Sequence, residues 1–316
     1  MSNPKIALVG AGNMGSLHAR VISQHEKADL VKLVDLREEH GKSVAERFGT
    51  TWAPELGDLS GVDAVVIASA TEAHKDLALE VLNAGVPLLI EKPVCASLAD
   101  SEEVVALAEK NSIPLMCGLL ERYNPAVITA LQLIDNPVHV TATRHSPYAP
   151  RIKTGVAWDL LVHDVDLAIQ VFGGVEPVSA KGALGHFHPS SLSGAEDVAE
   201  AMLTFSTGMA SVSASRIGHR KVRTLVINEV DRLVEVDLLR RDVTIYRHVS
   251  LDAATPEGRG YRQQSIIEIP ELITAREPLA AQLDRFLDIL AGRADADDER
   301  RRILPSHRVV DAVIAS

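Results

Sequence analysis

In the stretch GVAWDLLVHDVDLAI, residues 155–169, an otherwise apolar run carries Trp158, Asp159, His163, Asp164 and Asp166. The apolar spacing predicts a helix, on which Asp159 and His163, at i and i+4, share a face and can approach each other. Asp166, at i+3 from His163, reaches the same side, whereas Asp164 lies on another. An imidazole, with an ordinary pKa of about 6.5, takes up and releases a proton near neutrality when a carboxylate orients it. The same pair also serves as a structural hydrogen bond on a helix, and spacing alone does not choose between the two. No metal is expected, because His-Asp-x-Asp has no third ligand at sensible spacing.

Those side chains need a scaffold, which the first third of the chain provides. KIALVG is a short β-branched and aliphatic run, GAGNMG places Gly10, Gly12 and Gly15 at G-x-G-x-x-G spacing, and SLHARVISQ has helical apolar periodicity. The order is strand, tight turn, helix. The glycine spacing by itself is a weak signal, but a second strand, LVKLVD, ends in Asp35 about 20 residues beyond Gly15. A dinucleotide-binding fold places an acid there, against the adenosine ribose hydroxyls. Glycines without Cβ let a pyrophosphate approach the free amides of a helix N-terminus, so Gly10, Gly12, Asn13, Met14 and Gly15 are expected to hold one. Asp35 would repel a 2′-phosphate, which favours NAD. Arg37 could instead pair with such a phosphate, so NADP stays open, as does a plain surface role for that arginine.

The alternation continues with strands in VDAVVIASA, VPLLIE and IPLMCG and helices in HKDLALEVLNAG and SLADSEEVVALAEKN, the latter capped by Ser97. Unbroken apolar strands between helices mean a parallel sheet covered on both faces. Ligands of such sheets bind at the carboxyl ends of the strands, here Gly10–Gly15, Asp35, the Ser69 turn, Glu91-Lys92-Pro93 and residues 117–119. After Gly118 the pattern changes. One helix, PAVITALQLI, is followed by strand-like runs including PVSAKGALGHFH, DVAEAMLTFS, MASVSASRI, RTLVINEV and RLVEVDLL, which predict a mostly antiparallel sheet. His186 and His188 are expected to share an exposed strand face.

GAGNMG, ASATEAH, EKP and WDLLVHD, in this order and spacing, resemble the Gfo/Idh/MocA family of sugar and inositol oxidoreductases. The likeness covers essentially the whole chain, since EPLAAQLDRFLDIL and HRVVDAVIAS look like the family's late and closing helices. It implies an α/β Rossmann dinucleotide-binding domain over residues 1–119 and an α+β domain over 120–316. The second domain would carry an open-faced, mostly antiparallel sheet and C-terminal helices that pack back on the first. The open face would join subunits into a homodimer or homotetramer. The resemblance also places Lys92 beside the nicotinamide, often with a cis Lys92–Pro93 bond, and adds Ser69, His74 and Glu91 to the cofactor set. Where the family commonly has Thr-Pro-x-x-x-His, this chain reads Ser69-Ala70-Thr71-Glu72-Ala73-His74, and the missing proline loosens that turn.

Asp159, His163 and Lys92 match the family's proton-transfer residues. Oxidising a secondary alcohol requires a hydride to leave carbon while a base takes the hydroxyl proton. His163 and Lys92 are both candidates for that base. Asp159 would orient the imidazole, and Lys92 would stabilise the alkoxide or relay the proton. GLLERYNPAV and TRHSPYAPR look most like the branch of the family that oxidises C3 of a nucleotide-linked hexose such as UDP-N-acetylglucosamine. Arg144 and Arg151 would then hold the diphosphate, a plain surface role for both staying equally open, with Arg122, Tyr123, Asn124 and Trp158 lining the substrate site. An inositol or free-sugar dehydrogenase, and a non-catalytic NAD(P)-binding regulator, are the alternatives.

Composition narrows the field. A net charge of −11 argues against a nucleic-acid-binding protein, and no apolar run approaches the roughly 20 residues that span a bilayer. Cys95 and Cys117 are the only cysteines, so no disulfide framework is indicated and a reducing cytoplasm suits the chain. A soluble, cytoplasmic protein is expected.

Overall fold

A computed structural model of the chain describes residues 2–150, 152–192, 194–255 and 258–316, with the backbone alone for 250–255 and 258–263. Arg151, one of the two arginines expected at a diphosphate, lies outside the described residues. Two compact units form, Met1–Leu120 with Glu277–Asp311, and Glu121–Arg276 with Ala312–Ser316. By contact, therefore, most of the closing helical segment counts with the first unit.

In the first unit, β1 (Lys5–Val9), β2 (Asp29–Val34), β3 (Thr51–Ala53), β4 (Ala64–Ile67), β5 (Leu88–Glu91) and β6 (Leu115–Gly118) form one sheet in the order β3-β2-β1-β4-β5-β6. Every pairing is parallel. Strand order reverses at β1 and β4, which is the topology that opens a crevice for a dinucleotide. The connecting helices are α1 (Asn13–Ser23), α2 (Glu38–Arg47), α3 (His74–Asn83) and α4 (Leu98–Lys110). Residues of β4, β5 and β6 are buried throughout, as the unbroken apolar runs require. Ser97 caps α4 by accepting from the Asp100 amide at 3.1 Å. The edge strand β3 is too short to show in the sequence pattern.

The second unit contains α5 (Pro125–Leu133), β7 (His139–His145), a π turn over Ala157–Leu161 and α6 (Val162–Val171). Then come β8 (Ser179–Gly185), β9 (Val198–Thr204), β10 (Met209–Ser215), β11 (Val222–Asn228), β12 (Leu233–Asp237), β13 (Asp242–Thr255) and β14 (Gly258–Glu268). They form an eight-stranded sheet ordered β14-β13-β12-β11-β7-β10-β9-β8, antiparallel except where β7 meets β10. Alternation decides its faces. Val140, Ala142, Ala199, Ala201, Leu203, Ala210, Val212 and Ala214 are buried, whereas Thr141, Thr143, Met202, Ser211 and Ser213 lie on the opposite, more open face. The chain closes with α7 (Pro278–Leu290), α8 (Ala296–Arg301) and α9 (Leu304–Ala315). Among the described residues no helix is long and apolar enough to cross a membrane.

Candidate active site

At the end of β1 the chain turns through Gly10, whose φ of +98° and distance of 2.6 Å from a built Cβ to the Ala68 carbonyl oxygen admit no side chain. Gly15 is equally constrained, since its Cβ would lie 1.9 Å from the Gly10 oxygen. Gly12 differs, because a Cβ there would meet nothing within 4 Å. It is the N-cap of α1, where no side chain caps the free amides and no acid occupies the first turn. That open approach to a helix N-terminus fits a pyrophosphate, with the exposed Asn13 and half-buried Met14 beside it.

Asp35 follows β2. Its carboxylate accepts from the amides of Ala11 (2.7 Å) and Arg37 (2.9 Å) and from the Arg37 guanidinium at 3.0 and 3.1 Å. Burial pushes this carboxyl up, but the Arg37 side chain and the two amides outweigh it and hold the group below the usual range. An ionised carboxylate anchored from the backbone suits a ribose diol. The exposed Arg37 side chain is the partner that can move aside.

Two residues expected at the cofactor are held by other parts of the protein. His74 is 1% exposed, with its ring nitrogens facing the carbonyl oxygens of Pro93 (3.0 Å), Val94 (3.2 Å) and Ser69 (3.3 Å). It joins the turn after β4 to the turn after β5 rather than facing a ligand. Burial lowers its pKa, so the ring is neutral at pH 7. Glu91 is also buried, and its carboxylate meets His18 of α1 at 2.8 Å, a contact that braces the end of β5. Between these supports lie the half-buried Lys92 and a cis Lys92–Pro93 bond. Ser69 remains half-exposed at its turn.

In the second unit, the helix that carries Asp159 and His163 begins with the π turn and not as a regular α-helix. Its start is held by Glu196, which accepts from the Ala157 amide through its carboxylate (2.7 Å) and from the Val156 amide through its carbonyl (3.0 Å). Gly155 leaves room for that carboxylate, as a Cβ there would fall 2.1 Å from it. Such π insertions concentrate at functional sites, where they re-aim side chains.

Each acid of this segment has its own arginine from a different element. Arg216, just after β10, donates to Asp159 at 2.5 Å and to the Thr154 carbonyl at 2.6 Å. Arg144 of β7 forks onto Asp164 at 2.5 and 3.0 Å and also meets Glu121 at 2.9 Å. Arg122 forks onto Asp166 at 2.8 and 2.6 Å. Burial pushes the Arg144 guanidinium down, but Asp164 and Glu121 hold it above its usual range, and it stays charged.

Three expected substrate residues are therefore corrected. Arg144 is 2% exposed and enclosed by two carboxylates, leaving no donor geometry for a diphosphate. Arg122 forks onto Asp166, which turns its guanidinium away from the substrate role expected for it. Asn124 is buried, caps α5 by accepting from the Ala126 amide (3.1 Å) and donates to the Leu238 carbonyl (3.1 Å). Tyr123, Trp158 and His163 remain half-buried. Arg216 was missed by the sequence reading, although the parity of Ala210, Val212 and Ala214 places a charge at its inward position, which is the signal of a buried ion pair. Among the described residues, no group of three or more His, Cys, Asp or Glu is placed to hold a metal ion.

Residues 4–119 match the oxidoreductase family with an NAD-binding Rossmann fold, and residues 130–229 match the GFO/IDH/MocA C-terminal domain. The chain is 29% identical to UDP-N-acetylglucosamine 3-dehydrogenase of Acidithiobacillus ferrooxidans, over 92% of this chain and 90% of that one. It is 28% identical to scyllo-inositol 2-dehydrogenase (NAD(+)) of Bacillus subtilis, over 94% of each. The solved structure of the Acidithiobacillus enzyme superimposes with a TM-score of 0.82 at 27% identity, covering 100% of this chain and 99% of that one. The chain belongs to the Gfo/Idh/MocA family of NAD-binding oxidoreductases.

Proposed function

We propose that this protein oxidises a secondary alcohol of a nucleotide-linked hexose, of the class of UDP-N-acetylglucosamine at C3, with NAD as the preferred cofactor. The reading rests on one conjunction: a glycine cradle with an ionised Asp35, the lysine after β5, and Asp159 and His163 on a helix entered through a π turn, in a chain similar to a UDP-N-acetylglucosamine 3-dehydrogenase along nine-tenths of its length. Bound NAD supplies the hydride acceptor. His163 takes the hydroxyl proton as its alcohol is oxidised, and Lys92 stabilises the alkoxide or relays that proton. Asp159, paired with Arg216, steadies the imidazolium that forms. Loss of the Arg37 contact from Asp35 would free that carboxylate for the ribose hydroxyls, whereas a 2′-phosphate would meet its charge.

The near-equal likeness to an inositol dehydrogenase keeps a polyol substrate as the second reading. Turnover of UDP-N-acetylglucosamine and myo-inositol, each with NAD and NADP, separates the two. Preference for the sugar nucleotide with NAD is expected, and robust turnover of inositol with none on any sugar nucleotide would reverse the assignment. The half-open face of the second sheet, with Met202, Met209 and Tyr246 exposed, supports a homodimer or homotetramer formed through it.

A further inference from the structure

We propose that three loops at one end of the second sheet form the subsite for the nucleoside diphosphate of the substrate, with loop 216–221 taking the phosphates and Phe187 with the Tyr148–His188 stack taking the base. This rests on the nucleotide-sugar reading above. It relocates the anion site away from Arg144.

Strand register places the loops together. His145 pairs with Ser215 and with Val222, Ser215 with Val198, and Val198 with Gly185. The described parts of the loops 146–156, 186–197 and 216–221 therefore leave the sheet at one end. That end borders the proton-transfer residues, because Arg216, the first residue of its loop, holds Asp159.

The loops are laced to one another. The Arg216 amide donates to the Asp197 carbonyl (2.8 Å), the Ser146 amide to the Ser215 carbonyl (2.8 Å) and the Gly218 amide to the Ser146 carbonyl (3.1 Å). The buried Asp197 carboxylate accepts from the amides of Phe187 (2.9 Å) and His188 (2.6 Å), and the Tyr148 hydroxyl donates to the Ser190 carbonyl (2.5 Å). A surface tied in this way is formed before a ligand arrives, which limits the ordering cost of binding.

Its chemistry fits a nucleotide. In a chain with 43 acidic against 32 basic residues, positions 216–223 carry Arg216, His219, Arg220, Lys221 and Arg223 and no acid. Arg216 pairs with Asp159 and Arg223 with Glu121. The side chains of His219, Arg220 and Lys221 are exposed and make no ion pair among the described residues, and Lys153 is exposed on the neighbouring loop. On the neighbouring loops the Tyr148 and His188 rings stack at 3.6 Å with 6° between their planes, so His188 lies in a loop stack and does not share a strand face with His186. Phe187 between the two histidines is 70% exposed. An exposed Phe187 ring, a half-buried Tyr148–His188 stack and unpaired cations on the same set of loops match a base joined to a diphosphate, whose oxygens take multidentate contacts from arginine and point-charge contacts from lysine.

The test is titration of the NADH-saturated protein with UDP, so that UDP cannot occupy the cofactor cradle, in wild type, Arg220→Ala/Lys221→Ala and Phe187→Ala. The proposal expects about a tenfold or greater loss of UDP affinity in the double variant and a smaller loss in Phe187→Ala. Pyrophosphate binding should fall only in the first and uridine binding only in the second, with NADH affinity unchanged in both. Wild-type UDP affinity in both variants, in a protein that oxidises UDP-N-acetylglucosamine, would place the subsite elsewhere and leave the function standing. Failure of the wild type to bind UDP, with turnover of myo-inositol, would overturn both.

Discussion

Asp159, Asp164 and Asp166 look interchangeable along the chain, yet Arg216, Arg144 and Arg122 give each a separate environment. Asp159 is half-buried whereas Asp164 and Asp166 are buried, and this is why Asp159 stays in the candidate site while Asp164 serves the interior. The ion pair between Arg144 and Asp164 is buried, so Arg144→Met should destabilise the protein by about 3–5 kcal/mol by leaving a buried carboxylate unpaired. Substrate KM should stay unchanged. Chemical denaturation and steady-state kinetics on one preparation check both expectations, and a raised KM with unaltered stability would return Arg144 to the substrate site. His74 makes a pH prediction. Its folded pKa is lowered by burial, so its contribution to stability is whole above the unfolded value of about 6.5 and is lost as pH falls below it. The melting temperature should therefore drop between pH 7 and pH 5.5 more steeply in wild type than in His74→Gln.

At the scale of elements, the parallel sheet and its turn were legible because each rests on a local rule: unbroken apolar strands, glycine spacing, and an acid at the end of β2. The π turn was not legible. WDLLVHDVDLAI has the same apolar spacing whether its first turn closes i to i+4 or i to i+5, and the difference is imposed by Glu196, 39 residues away from Ala157. Nor could the sequence reveal that Arg144, Arg122 and Asn124 face inward, since a polar residue near a site motif reads as a ligand until its partner is known. Gly155→Ala tests the π turn. With a Cβ 2.1 Å from the Glu196 carboxylate, the variant should lose the Glu196–Ala157 bond, melt at a lower temperature and lose turnover, while NAD affinity is retained. Wild-type turnover by that variant would detach the π turn from catalysis.

At the scale of the molecule, the two units divide the chemistry by residue type. The first, with its glycines and Asp35, fits a dinucleotide, and the second carries the histidine and acids suited to proton transfer. The open sheet face of the second unit should be covered by another copy. Light scattering is expected to give a mass of two or four chains, and Thr143→Arg, on that face, should reduce it. A monomer at micromolar concentration would leave the face without its assigned partner. The central claim is that His163 moves the proton in an NAD-dependent oxidation. NADH formation from UDP-N-acetylglucosamine, measured side by side for wild type and His163→Ala at saturating NAD, tests it most directly. Turnover should be lower by at least ~100-fold in the variant with NAD binding intact, and a variant that turns over like wild type would contradict a proton-transfer role for His163.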